Sequence, residues 1–239
     1  MDSEEHREWL GKFEGKIISS IIILPIVIWI WPEVLPFGLF EFWNYRGTIL
    51  EWLYASWPIF AWGVGATIVL LLFKRDYYYA NGPAEDILVG GALVSLQAGI
   101  LEEITFRWLF FLENIVSLKI ANFLFFGFLG FGIPSWFHIN ISGPVASWTS
   151  LGGLDKYVFH DTGWAVGAAM LATNAFFRDG HRYQGMTGVI NSWFIGMFFF
   201  WIMFKFGLPA AIMVHFLYDI FIFIVVYVYV VIGRALGRA

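Results

Sequence analysis

The 239-residue chain contains no cysteine. Disulfides, thiolate metal sites and cysteine nucleophiles are therefore excluded. Charge is scarce too: Asp, Glu, Lys and Arg make up 13% of the residues, about half the ~25% of an ordinary soluble domain. The net charge of −4 gathers into no basic stripe, so no nucleic-acid partner is expected. The N-terminus does not read as a secretory leader either. "MDSEEHREWLGKFEGK" (1–16) has mixed charge, and the apolar run behind it lacks a small-residue cleavage site, so that run reads as a retained span. No internal repeat is evident.

Apolar side chains dominate, at 59% hydrophobic and 21% aromatic residues. A spanning helix needs about 20 mostly apolar residues. Spans are expected near 17–31, 52–73, 87–112, 115–131, 186–206 and 208–232, with a short helix at 162–177. The Gly-rich stretch 139–161 reads as a loop. The predicted fold is all-α, a polytopic membrane bundle of about seven or eight helices with an intramembrane catalytic cavity. Its parts are a cytoplasmic N-terminal segment (1–16), N-terminal spans with an interfacial segment (17–86), a core (87–232) and a tail (233–239). Arg7, Lys12 and Lys16 before the first span, with Lys74 and Arg75 after the second, place the N-terminus in the cytoplasm of a cell-membrane protein.

Against this background "ILEEITFRWLF" (100–110) sets three charges in an apolar run. Such charges cost about 2.5–3.5 kcal/mol each at mid-membrane and normally face a bundle interior or a wet cavity. At ~100° per residue, Glu103 and Arg107 lie on one helix face and can pair. Glu102 points elsewhere and has no local cation, which suits a general base or acid. A purely structural ion network is the competing reading of all three.

Of the five histidines, His6 lies in the charged tail, and His160 and His181 fall in polar loops and read as solvated. His138 and His215 have apolar surroundings. His215 and Asp219 are again four apart, so the carboxylate can fix one ring nitrogen and aim the other. A free carboxylate, two histidines and an orienting aspartate are parts for activating water and stabilising an oxyanion.

These residues resemble the CAAX-protease and bacteriocin-processing family of intramembrane proteases, also called the Abi family. "EEITFR" (102–107) is similar to its E-E-x-x-x-R signature and "VHFLYD" (214–219) to its closing H-x-x-x-N/D motif; the middle F-x-x-x-H motif is placed at "PSWFH" (134–138). The resemblance covers about 87–232. It implies an endopeptidase acting on membrane-anchored or lipidated peptides, such as prenylated CAAX termini or leader peptides. It also implies that Glu102 activates water opposite His138 and His215, that Asp219 assists at the oxyanion, and that Glu103 and Arg107 act in support. Two positions depart from the pattern: Pro134 stands where the middle motif has phenylalanine, and Asp219 where asparagine is commoner. An ionised aspartate cannot donate a hydrogen bond, so Asp219 must be protonated or work by orienting His215.

Zinc stays open. Glu102, His138 and His215 could supply three ligands with a fourth position for water, but H-E-x-x-H is absent and the same residues can act without a metal. The rival functions are a non-catalytic scaffold or immunity protein of the same fold, and a proton-coupled transporter, which the lack of repeated halves disfavours. The presenilin-type G-x-G-D partner and a rhomboid-type serine motif within a span are also missing.

Overall fold

In a bilayer the backbone of an apolar run has no polar partner but itself, which favours helices. A computed structural model describes residues 3–73, 84–150, 152–159 and 163–236, and among these there is no strand. Lys74 and Arg75, on which the expected orientation leans in part, and His160 lie outside them. Five stretches are long and apolar enough to cross a membrane: Gly11–Ile30, Ile49–Leu71, Asp86–Leu124, Arg182–Phe206 and Leu208–Ala235.

Helix α1 (Ser3–Ile30) takes in both the charged N-terminal residues and the first span. Two short 3-10 turns lead to α2 (Ile49–Phe73), whose start is a capping box: Thr48 N–H donates to Glu51 and Glu51 N–H to the Thr48 hydroxyl. Next come α3 (Ala84–Glu102), a π-helical stretch (Glu103–Phe110) and α4 (Phe111–Leu124). The two spans expected at 87–112 and 115–131 are thus one helical rod with no break near residue 113. The polar residues in and after the expected gap find partners in other segments. Glu113 pairs with Lys16, Asn114 donates to Thr173 at 2.7 Å, and Lys119 donates to the Val34 carbonyl at 2.5 Å. The break comes later, where Phe126 and Gly130 adopt positive φ.

The expected loop at 139–161 is also largely helical. After helix α5 (Ile133–Phe137), a π turn (His138–Ser142), α6 (Gly143–Thr149) and α7 (Asp155–Val158) take up most of it. Pro144 sits at the start of α6, where its missing N–H is no loss. Helix α8 (Trp164–Gly180), α9 (Gly185–Phe206) and α10 (Leu208–Ala235) complete the chain.

Helix α10 packs against α2, α3 and α9. Lipid is as apolar as leucine, so such contacts depend on close packing by small residues. Gly63 of α2 lies under Tyr218, and Gly91 of α3 lies under Phe223. A Cβ at Gly99 would stand 3.1 Å from the Ile212 carbonyl and the Phe216 nitrogen of the α10 backbone. Gly91, Ser95 and Gly99 recur every four residues, and the next position in that series is Glu103. The close seam between α3 and α10 therefore delivers Glu103 to α10.

Gly99→Leu must push these two backbones apart, and overpacking of this kind costs about 1–3 kcal/mol. Thermal unfolding in detergent should show a lowered midpoint for Gly99→Leu, while Gly65→Leu, which meets open space, should leave it nearly unchanged.

Candidate active site

Glu103 and Arg107 are both fully buried. Glu103 Oε2 lies 3.3 Å from Arg107 Nε, the pairing their spacing predicts. Its other oxygen, Oε1, accepts a hydrogen bond from His215 Nδ1 at 2.8 Å, a partner the spacing does not reveal. His215 Nε2 then faces Asp219 Oδ2 at 3.5 Å, and the Phe199 ring stacks on the imidazole at 4.4 Å. His215 is thus oriented chiefly by Glu103 across the seam, with Asp219 as a looser neighbour on its own helix. The π-helical stretch begins at Glu103; such bulges rotate side chains out of α-helical register and are frequent at functional sites.

The Arg107 guanidinium rests on the Phe177 ring at 4.1 Å, with Phe199 and Phe200 at 5.6 and 5.5 Å. Ring faces stabilise a desolvated cation. Among the described residues its three nitrogens make no hydrogen bond, the Glu103 contact being an ion pair only, and Asn174 Oδ1, also buried, has no donor. Asn174 itself is held by donating to the Trp193 carbonyl at 2.9 Å. Both orphaned groups converge on Gly196, where a Cβ would stand 2.0 Å from Asn174 Oδ1 and 3.0 Å from Arg107 Nη2. Only glycine fits there.

Glu102, at the last α-helical position before the π stretch, is half-buried. The ionisable groups near enough to act on it are His215, His181, Arg107 and Asp219. His181 caps the end of α8, half-buried, and its Nδ1 donates to the Phe177 carbonyl at 2.9 Å. In the neutral ring that bond leaves Nε2 as a free acceptor. His181 is the functional candidate that the sequence analysis passed over, because "RDGHRYQG" reads as a solvated turn. A signal was present: Phe177 and His181 satisfy F-x-x-x-H literally, whereas 134–138 offers proline in place of phenylalanine.

His138 does not join this group. It is buried, its Nε2 donates to the Val158 carbonyl at 2.8 Å, and Nδ1 lies 3.1 Å from the Ser142 hydroxyl. Burial holds its imidazole below the ordinary range, which suits a neutral ring donating to a carbonyl. The same Val158 carbonyl lies 2.0 Å from a Cβ built on Gly167, near the start of α8. From Gly167 to His181 the helix rises about 20 Å at ~1.5 Å per residue. Arg107 touches the far end, at Phe177, and Glu102 lies beyond it. The expected meeting of Glu102, His138 and His215 is thus not what the structure brings together: His138 lies apart, while His215 and His181 are the imidazoles near enough to act on Glu102.

Among the described residues no group of three or more His, Asp or Glu side chains is arranged to hold a metal ion. His138 is remote and both nitrogens of His215 face carboxylates, so the ligand set considered for zinc does not fit, and no chemistry is derived through it.

A mainly apolar cavity of about 430 Å³ is walled by Trp193, Met197, Phe198 and Trp201 of α9 together with α2, α6 and the turn after it. Gly196, Phe199 and Phe200, on another side of α9, face Arg107 and His215. Helix α9 thus stands between this cavity and the charged cluster.

A family model described as type II CAAX prenyl endopeptidase, Rce1-like, matches residues 84–221. The chain belongs to this family. The match begins at the first residue of α3 and ends two residues beyond Asp219, so it contains every member of the charged cluster. Membership makes the chain a multi-pass membrane protein of a CAAX-type intramembrane protease family. Comparison with curated proteins gave no match, and comparison with solved structures gave none.

Removing one partner of a buried ion pair costs about 3–5 kcal/mol, whereas replacing both can be nearly neutral. Arg107→Met alone should strongly lower the unfolding midpoint in detergent, and Arg107→Met with Glu103→Gln should recover much of the loss. Additive losses would show that the two residues are not coupled.

Proposed function

We propose that the chain is an intramembrane endopeptidase in which Glu102 is the general base. The observation that carries this reading is the contrast between two adjacent glutamates. Glu103 is ion-paired with Arg107 through one oxygen and accepts from His215 through the other, while Glu102 is only partly buried, has no ion-pair partner among the described residues, and has His215 and His181 near enough to act on its charge. A committed carboxylate can orient; only the free one can take a proton.

In the proposed reaction a water sits between Glu102 and His181 Nε2. Glu102 takes one proton as the water oxygen attacks the scissile carbonyl. The C–O bond forms and the carbonyl electrons move to oxygen. His215, as imidazolium with Nδ1–H on Glu103, offers Nε2–H to that oxyanion, and Asp219 helps to aim it. Glu102 then delivers its proton to the departing amine nitrogen as the C–N bond breaks. Asp219 needs no hydrogen-bond donor of its own in this scheme. Substrates of the class that the family description names, peptides ending in a prenylated CAAX sequence, are the first to test; membrane-bound leader peptides are the second.

The test is cleavage of a farnesylated CAAX peptide, and in parallel a membrane-bound leader peptide, by the chain reconstituted in vesicles. General acid–base groups contribute about 10²–10⁴-fold. Glu102→Gln should lower the cleavage rate on the order of a thousandfold and His181→Ala about a hundredfold, both with the unfolding midpoint kept. His138→Phe should change rate per folded molecule by less than about threefold and act on stability instead. Full activity in Glu102→Gln would sink the hydrolytic role, and no cleavage by the wild type of either peptide would favour the scaffold reading.

A further inference from the structure

A second cavity, of about 320 Å³, is lined mainly by polar surface and lies where α9 turns into α10. Arg46, Lys156 and Lys205 line it, from three segments far apart in sequence, with one carboxylate, Glu41. Among the described residues none of these three cations is ion-paired with a carboxylate. The chain has only 14 lysines and arginines in all. Gathering three of them around one hollow against a single carboxylate leaves an excess of positive charge there, which an anion in the hollow would relieve.

The hollow is built on fixed backbone. Arg46 N–H donates to the Phe206 carbonyl at 2.8 Å, and the Arg46 carbonyl accepts from Trp52 Nε1 at 2.7 Å. Gly207, at φ +100°, approaches so closely that a Cβ would stand 2.4 Å from the Asn44 carbonyl. Lys205 is kept near by the Trp201 and Phe206 rings, 4.7 and 4.9 Å from its Nζ. Glu41 is partly occupied in capping Gly38 N–H at 3.1 Å.

Position identifies the anion. The span Arg182–Phe206 ends at this cavity, Leu208–Ala235 begins there, and Ile49–Leu71 starts three residues after Arg46. Three span ends at one level mark the edge of the hydrocarbon, the depth of lipid phosphates. Trp43, Tyr45 and Trp201 nearby are the aromatic residues usual at that depth. We propose that Arg46, Lys156 and Lys205 form a binding site for the phosphate of an anionic phospholipid headgroup. A zwitterionic headgroup would bring its own cation against these three. The site is separate from the Glu102 cluster and does not depend on the proposed hydrolysis.

The full chain, purified in non-ionic detergent, is titrated by native mass spectrometry with dioctanoyl phosphatidylglycerol, dioctanoyl phosphatidylcholine and inorganic phosphate. Phosphatidylglycerol should bind saturably, about tenfold or more tighter than the other two. Replacing Arg46, Lys156 and Lys205 together by Gln should weaken it on the order of a hundredfold, given the usual gain per basic residue at a lipid surface. All three side chains are exposed, so the unfolding midpoint should not move. Glu41→Gln, which keeps an oxygen to cap Gly38, should tighten binding. Equal affinity for the two lipids, or unchanged affinity in the triple variant, overturns the site. Inorganic phosphate binding as tightly as phosphatidylglycerol overturns the headgroup assignment.

Discussion

One carboxylate joins the helices around the charged cluster. Glu103 accepts from His215 on α10 and pairs with Arg107 one turn along its own rod. Arg107 in turn lies on Phe177 of α8 and near Phe199 and Phe200 of α9. Three charged or polar side chains thus tie four helical segments together where no water screens them. Such an arrangement is costly unless each partner is present. It also fixes the imidazole of His215 and leaves the neighbouring glutamate free. The division of labour between Glu102 and Glu103 follows from which side of the rod meets the α3–α10 seam.

That seam sets the depth at which the charged cluster stands. Gly91, Ser95 and Gly99 allow α3 to lie against α10, and the series of small residues ends in Glu103. In apolar surroundings hydrophobicity does little to choose one helix pairing over another, so shape and polar satisfaction decide it. Buried Ser95, for instance, returns its hydroxyl to the Gly91 carbonyl rather than leaving it unmet.

Much of this was legible in the sequence. The helical class followed from long apolar runs, the Glu103–Arg107 pair from a four-residue spacing, and the family from two motifs that the matching region contains. Three things were not. The contact between Glu103 and His215 joins residues 112 apart, and no local periodicity encodes it. The continuity of the rod through residue 113 depends on Lys16, Val34 and Thr173, partners that only tertiary packing supplies. The bond from His138 to the Val158 carbonyl was not legible either, because apolar neighbours suit an intramembrane site and a ring serving a backbone carbonyl equally well. His181, in a polar turn, read as solvated although its ring is half-buried against the end of α8.

The central claim is geometric: Glu102 neighbours His181 and is remote from His138. Because the chain has no cysteine, paired substitutions can be read without background. Glu102→Cys with His181→Cys, and Glu102→Cys with His138→Cys, would each be treated in membranes with a short bis-maleimide and scored for an internal cross-link by peptide mass. The account predicts a cross-link in the first pair and none in the second. A cross-link between positions 102 and 138, with none between 102 and 181, would contradict it.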